Sequence, residues 1–188
     1  MRSDSVYELP KDLPVPQDDG ACAHLTGRKL PSLALAATGG KSVDLSALGG
    51  RTVVYIYPRT GRPDQELPTG WNAIPGARGC TPQSCAFRDH FEELKRAGAA
   101  QVYGLSTQDT AYQREAVERL HLPFEILSDA KLEFARALRL PVFEVDGMKL
   151  IKRLTLILRN GAIEKVFYPV FPPDRNAGDV LAWLVKNK

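Results

Sequence analysis

Residues 52–57 read Thr-Val-Val-Tyr-Ile-Tyr, a β-branched and aromatic run with no polar position in alternation. A strand that shows one face to water alternates in polarity, whereas a strand that does not alternate is covered on both faces. The run therefore demands a central strand in a sheet with layers packed on either side. Segments of both kinds surround it. Strand-like stretches fall at 102–106, 123–127, 154–158 and 163–168, and helix-like stretches fall between and after them. The early strands alternate with helices and the late ones are joined by turn signals. That order predicts an α/β domain with a mixed central sheet and helices on both faces. At 188 residues the chain suits one domain with a sizeable core. Residues 1–28, rich in Pro, Asp and Gly, read as an extended or loosely ordered arm, and 29–188 as the domain.

Local signals set the expected boundaries. Residues 30–45 suggest a small hairpin and 46–48 a helical turn. Thr81-Pro82 reads as an N-cap and first helical position. Phe87, Phe91 and Leu94 follow at i, i+4 and i+7 on one buried face, and Gly98 stops the helix. Thr107 or Asp109 caps a helix to about 120. Ser128-Asp129 opens another over 131–139, which Pro141 ends. Asp146-Gly147 and Asn160-Gly161 are hairpin turns. Residues 176–186 close the chain as a helix with Val180, Leu181 and Leu184 inward.

Charge and composition narrow the function. A net charge of +3 is too small to argue for nucleic acid or an anionic membrane. No run reaches the length of a membrane helix. The opening MRSDSVYELP lacks the apolar stretch of a secretory signal, so the expected location is the cytoplasm. The three cysteines, Cys22, Cys80 and Cys85, are too few and too odd in number for a disulfide scaffold. None of the three histidines, His24, His90 and His121, stands at metal-finger spacing from the cysteine pair. Redox chemistry is the better reading, and Cys22 reads as a free thiol in the arm.

Cys80 follows a long segment, 58–79, that holds four prolines and four glycines. A loop of that length in a compact domain is usually functional. The sulfur is placed at a helix start, where unpaired N–H groups favour thiolate over thiol. Arg78, two residues away, is a second source of positive charge. Cys85 lies five residues on. Along an ideal helix the two Cα atoms would be about 8–9 Å apart, beyond the roughly 7 Å that a disulfide spans. A bond between them would need the first turn unwound, which suits a bond made and broken in each cycle.

The stretch Cys80-Thr-Pro-Gln-Ser-Cys85-Ala-Phe-Arg-Asp89 resembles the active-site helix of the peroxiredoxins, specifically the PrxQ or bacterioferritin comigratory protein group. Residues 53–58, Tyr103-Gly-Leu-Ser-Thr107, Leu127-Ser-Asp129 and Arg153-Leu-Thr-Leu-Ile157 resemble further segments of that group in the same order. The resemblance covers about 30–187. It implies a thioredoxin-like fold, peroxide reduction, no metal or organic cofactor, a hydroperoxide substrate and a thioredoxin-like protein reductant. It also implies a monomer or homodimer with no nucleic-acid or membrane partner. By position, Cys80 resembles the peroxidatic cysteine and Cys85 the resolving cysteine, with a Cys80–Cys85 disulfide between them. Arg153 resembles the arginine beside the peroxidatic sulfur, where it would stabilise thiolate and peroxide. Gln83, Thr81, Arg78, Pro58 and Trp71 are expected to line the site.

One departure stands out. The group's pattern is Pro-x-x-x-Thr-x-x-Cys, but Pro58 lies 22 positions before Cys80 and the threonine slot holds Ala77. Thr60, Thr69 or backbone N–H groups of the inserted loop are the candidates to replace it, and Trp71 marks the insertion as a lid or as a passive surface loop. Two other functions remain open on the residues alone. A thioredoxin-fold disulfide carrier normally uses Cys-x-x-Cys, absent here. A metal chaperone would bind copper or zinc through the cysteine pair.

Overall fold

The computed structural model describes residues 5–188. Its centre is a seven-stranded sheet built from β1 (Ala34–Ala37), β2 (Ser42–Asp44), β3 (Arg51–Ile56), β4 (Ala99–Ser106), β5 (Ile126–Ser128), β8 (Leu154–Arg159) and β9 (Ala162–Phe167), in the order β2-β1-β5-β4-β3-β8-β9. β3, β4 and β5 run parallel to one another, and β8, β9, β1 and β2 add antiparallel pairings at the two sides. β6 (Val142–Val145) and β7 (Met148–Ile151) form a separate hairpin. The sheet is mixed, as its alternating and then hairpin-joined segments require.

β3 shows why its sequence lacks alternation. All six of its residues are buried. Val53 and Tyr55, with Tyr57 beyond the strand end, enter one apolar layer, while Val54 and Ile56 enter the other. The first layer is closed by α1 (Cys80–Asp89), α2 (Phe91–Arg96), α3 (Thr110–Leu120) and α5 (Asn176–Lys186), through Phe87, Leu94, Leu120, Val180 and Leu184. The second is closed by α4 (Glu133–Leu138), through Phe134 and Leu138, and by the segment before β1. Leu25 and Leu30 are buried there, and so is Cys22, whose thiol burial pushes up to about 12.

Several boundaries depart from the local signals. The helix expected to run unbroken to Gly98 is two helices, interrupted at His90 (φ −92°, ψ 4°). Phe87 and Leu94 stay fully buried across the bend, and Gly98 takes its expected left-handed place after α2 (φ +107°). β5 pairs only from Ile126, three residues after Pro123. α4 starts at Glu133 and not at 131. Leu132 is left-handed (φ +56°), and the Asp129 carboxylate reaches forward to accept from the backbone N–H of Phe134 (3.0 Å) and Ala135 (2.9 Å). Both hairpin turns form where Asp146-Gly147 and Asn160-Gly161 place them, each with positive φ at both residues. α3 is capped by Asp109, whose carboxylate accepts from the Tyr112 N–H at 2.7 Å. Leu181 packs only at the edge of its layer, half-buried.

Candidate active site

The start of α1 is set by a glycine. Gly79, not Thr81, occupies the cap position, with φ +101°. A Cβ there would fall 2.4 Å from Pro173 Cγ and 2.6 Å from Leu9 Cδ2, so the residue must be glycine on both backbone and packing grounds. The shift moves Cys80 into the first helical position, with Thr81 and Pro82 following it inside the first turn. Cys80 thus lies among the unpaired N–H groups of a ten-residue helix rather than ahead of them.

Arg153 lies in the short link between β7 and β8 and is only 3% exposed. Its Nη2 donates to Cys80 Sγ at 3.2 Å. The same nitrogen donates to the carbonyls of Ala77 and Arg78, each at 3.0 Å, and Nε donates to Gly76 O at 3.2 Å. The 76–78 backbone, curling over the guanidinium, therefore fixes the fork that faces the sulfur. Nη1 donates to Gln83 Oε1. Gln83 Nε2 in turn donates to Asn176 Oδ1 (3.0 Å), which also accepts from Thr155 Oγ1 (2.6 Å). All four side chains are buried. The chain of donors ties α1, β8 and α5 to the orientation of one arginine. The Cys80 thiol also contacts the Ala77 carbonyl, at 3.6 Å.

The remaining expected site residues divide. Thr81 and Trp71 line a cavity of about 20 Å³ against Cys80. Arg78 lines it too, but its guanidinium donates to Ser5 O (2.6 Å) and Asn72 Oδ1 (3.4 Å), while Arg153 is the cation on the sulfur. Pro58 is buried just past β3 and does not line the cavity. Of the candidates for the missing threonine, the Thr60 N–H and hydroxyl both donate to Gln108 Oε1, and the Thr69 N–H donates to Asp146. Neither side chain lines the cavity. The inserted loop is clamped by a small apolar cluster of Trp71, Ala77, Val145 and Leu150, with the Trp71 ring 6.1 Å from Phe143. It is packed on the β6–β7 hairpin, not loose on the surface.

Cys85 lies on the same helix, half-buried, and burial raises its pKa. Both thiols are free, separated by five helical positions. Several participants were not singled out by sequence. Asn176 opens α5 and Thr155 sits inside β8, and neither carries a local sign that its side chain points to Gln83. Val6 reaches the cavity from the far end of the chain.

Comparison with known proteins gives the family. The Redoxin family profile matches residues 25–181. The chain is 31% identical over 156 residues to the chloroplastic peroxiredoxin Q of Oryza sativa subsp. japonica, covering 82% of this chain and 64% of that one. It thus spans a little under two thirds of that relative's length. Among solved structures it is similar to the peroxidoxin BcpB of Mycobacterium tuberculosis, with a TM-score of 0.71 at 25% identity, covering 88% of this chain and 99% of that one. It shares the fold of the Xanthomonas campestris peroxiredoxin Q, with a TM-score of 0.63 at 22% identity over 92% and 95% of the two chains. The family profile spans most of the chain and these relatives are of one kind: the chain belongs to the redoxin family, with a thioredoxin-like fold, and is similar to peroxiredoxins of the Q type.

Proposed function

We propose that this chain is a thiol-dependent peroxidase that reduces hydrogen peroxide or alkyl hydroperoxides. One observation carries the reading: the buried Arg153 fork holds Nη2 3.2 Å from Cys80 Sγ at the first residue of a helix, with a small cavity against the sulfur. A cation and a helix N-terminus both place positive charge beside the sulfur that attacks. The thiolate takes the nearer peroxide oxygen, the O–O bond breaks, and the other oxygen leaves as water or alcohol after taking a proton. Cys80 becomes a sulfenic acid, two electrons poorer. Arg153 is a fixed donor at the sulfur end of the step.

Cys85 then attacks the sulfenic sulfur, a second water leaves, and a Cys80–Cys85 disulfide remains. The two cysteines cannot meet on an intact helix, so the first turn of α1 has to open. Opening also exposes Cys85, removing the burial that raises its pKa. A thioredoxin-like dithiol returns the two electrons by exchange, which suits a reducing compartment such as the cytoplasm. Exchange with protein disulfides as the primary activity is disfavoured by access. Cys80 is 3% exposed beneath a cavity far too small for a polypeptide.

The test is peroxide consumption by the full-length protein with thioredoxin, thioredoxin reductase and NADPH, wild type beside Cys80→Ser. Consumption that stops with the substitution, first turnover included, supports the reading. A Cys80→Ser variant that keeps pace with wild type sinks it.

A further inference from the structure

One wall of the Cys80 cavity comes from outside the domain that builds the rest of the site. Val6, in the N-terminal arm, is 7% exposed and lines the cavity together with Leu67 and Trp71 of the inserted loop and Arg59. The arm is tied down around this point by three independent contacts. Arg78 Nη2 donates to Ser5 O at 2.6 Å. Arg119 Nη1 donates to Tyr7 Oη at 3.2 Å, with its guanidinium 5.7 Å from the Tyr7 ring centroid. Leu9 packs on Gly79, near enough to meet a Cβ placed there. An arm residue that is itself mostly solvent-facing, Tyr7 at 49% exposure, thereby anchors one that is buried over the sulfur.

The space left is small. A cavity needs about 10–15 Å³ to hold one water, and this one has about 20 Å³. Hydrogen peroxide has two heavy atoms, whereas an aryl-alkyl hydroperoxide has about five times as many, so a bulky substituent does not fit inside the cavity as it stands. A roomier groove of about 330 Å³ lies nearby, lined by Val15, Ile74, Phe143 and Val170 and reaching Arg153. Cys80 is not among its lining residues, so it gives a bulky peroxide no direct route to the sulfur.

We propose that Val6, held in place by the Tyr7–Arg119 and Ser5–Arg78 contacts, is a specificity-determining residue: it closes the Cys80 cavity against bulky hydroperoxides and leaves it open to hydrogen peroxide. The inference rests on the peroxidase reading only for its substrate, because the steric filter applies to any reagent aimed at Cys80. Trp71 and Leu67 form the rigid side of the filter and the arm forms the removable side.

The experiment compares full-length wild type, Val6→Ala and Tyr7→Ala. For each, kcat/KM is measured with hydrogen peroxide and with cumene hydroperoxide. In a Cys85→Ser background, Cys80 alkylation rates are measured with iodoacetamide and with N-phenylmaleimide. Wild type should prefer the small member of each pair. Both variants should narrow that preference by about tenfold, the scale of discrimination that one or two methyl groups impose in a tight pocket. Tyr7→Ala does this without touching the cavity wall, so it separates arm anchoring from pocket shape. Wild-type rates that are equal for small and bulky reagents overturn the filter, as do preferences unmoved in both variants with melting temperatures like wild type. If alkylation shifts as expected but neither peroxide is consumed, the filter stands and the peroxidase reading falls.

Discussion

Replacing Arg153 by glutamine removes the guanidinium that donates to the Cys80 sulfur while keeping a planar polar group near its place. A hydrogen bond to a charged partner contributes about 1.5–3 kcal/mol, and each 1.36 kcal/mol is a factor of ten in rate. The loss of the Nη2–Sγ contact, 3.2 Å long and buried, should therefore slow attack on hydrogen peroxide by about 10- to 150-fold. Charge lost from a low-dielectric site pushes the effect toward the upper end. Arg153→Lys keeps the charge but not the fork that the Gly76, Ala77 and Arg78 carbonyls and Gln83 fix. It should recover only part of the rate. The assay is single-turnover oxidation followed by Trp71 fluorescence, since Trp71 lines the same cavity, with iodoacetamide alkylation at constant pH as a second readout. Removing Arg153 also strips hydrogen bonds from the 76–78 carbonyls, so melting temperature should fall and must be measured alongside. Oxidation and alkylation rates within twofold of wild type, in a variant that melts lower, would show that Arg153 only braces the loop.

Cys85→Ser should leave Cys80 as a sulfenic acid that over-oxidises under repeated peroxide, and peptide mapping of oxidised wild type should find Cys80 bonded to Cys85. Amide exchange over 81–86 should be faster in the oxidised protein than in the reduced one, and equal exchange would remove the unwinding step. Gly79→Ala forces a side chain into left-handed backbone, at a cost of about 1–2 kcal/mol, before its clashes with Pro173 and Leu9 are counted. A melting temperature like wild type would contradict the packing at the helix start. Cys22 carries a thiol raised by burial from 9.0 to about 12, so folding favours its neutral form. Its contribution to stability is whole below pH 9.0 and is lost as pH rises from there through about 12. Cys22→Ala should flatten the decline of stability over that interval, and an unchanged alkaline slope would mean that the arm opens before the thiol titrates.

What the sequence by itself determined are the features written in a few adjacent residues. The unbroken run at 52–57 specified a strand buried on both faces because both side-chain directions are apolar within the run itself. Asp146-Gly147 and Asn160-Gly161 specified their turns because positive φ is a property of the residues concerned. The last helix, 176–186, was legible to the residue from its apolar spacing. The ordered likeness to the peroxiredoxin segments pointed to Cys80, Cys85 and Arg153, and of these Arg153 meets Cys80. The rest depended on distant parts of the chain. Two arginines competed for the role beside Cys80. The near one, Arg78, turns to Ser5 and Asn72, and the one 73 residues away faces the sulfur. Sequence distance does not decide this, because the curl of 76–78 presents carbonyls to Arg153. The cap at Gly79 was assigned to Thr81 by local preference, and packing against Pro173 and Leu9 reversed it. Val6 lies in a Pro- and Asp-rich arm whose composition gives no sign of burial. Its place over Cys80 follows from contacts with Arg78, Arg119 and Gly79, which exist only once those residues have been gathered by the fold.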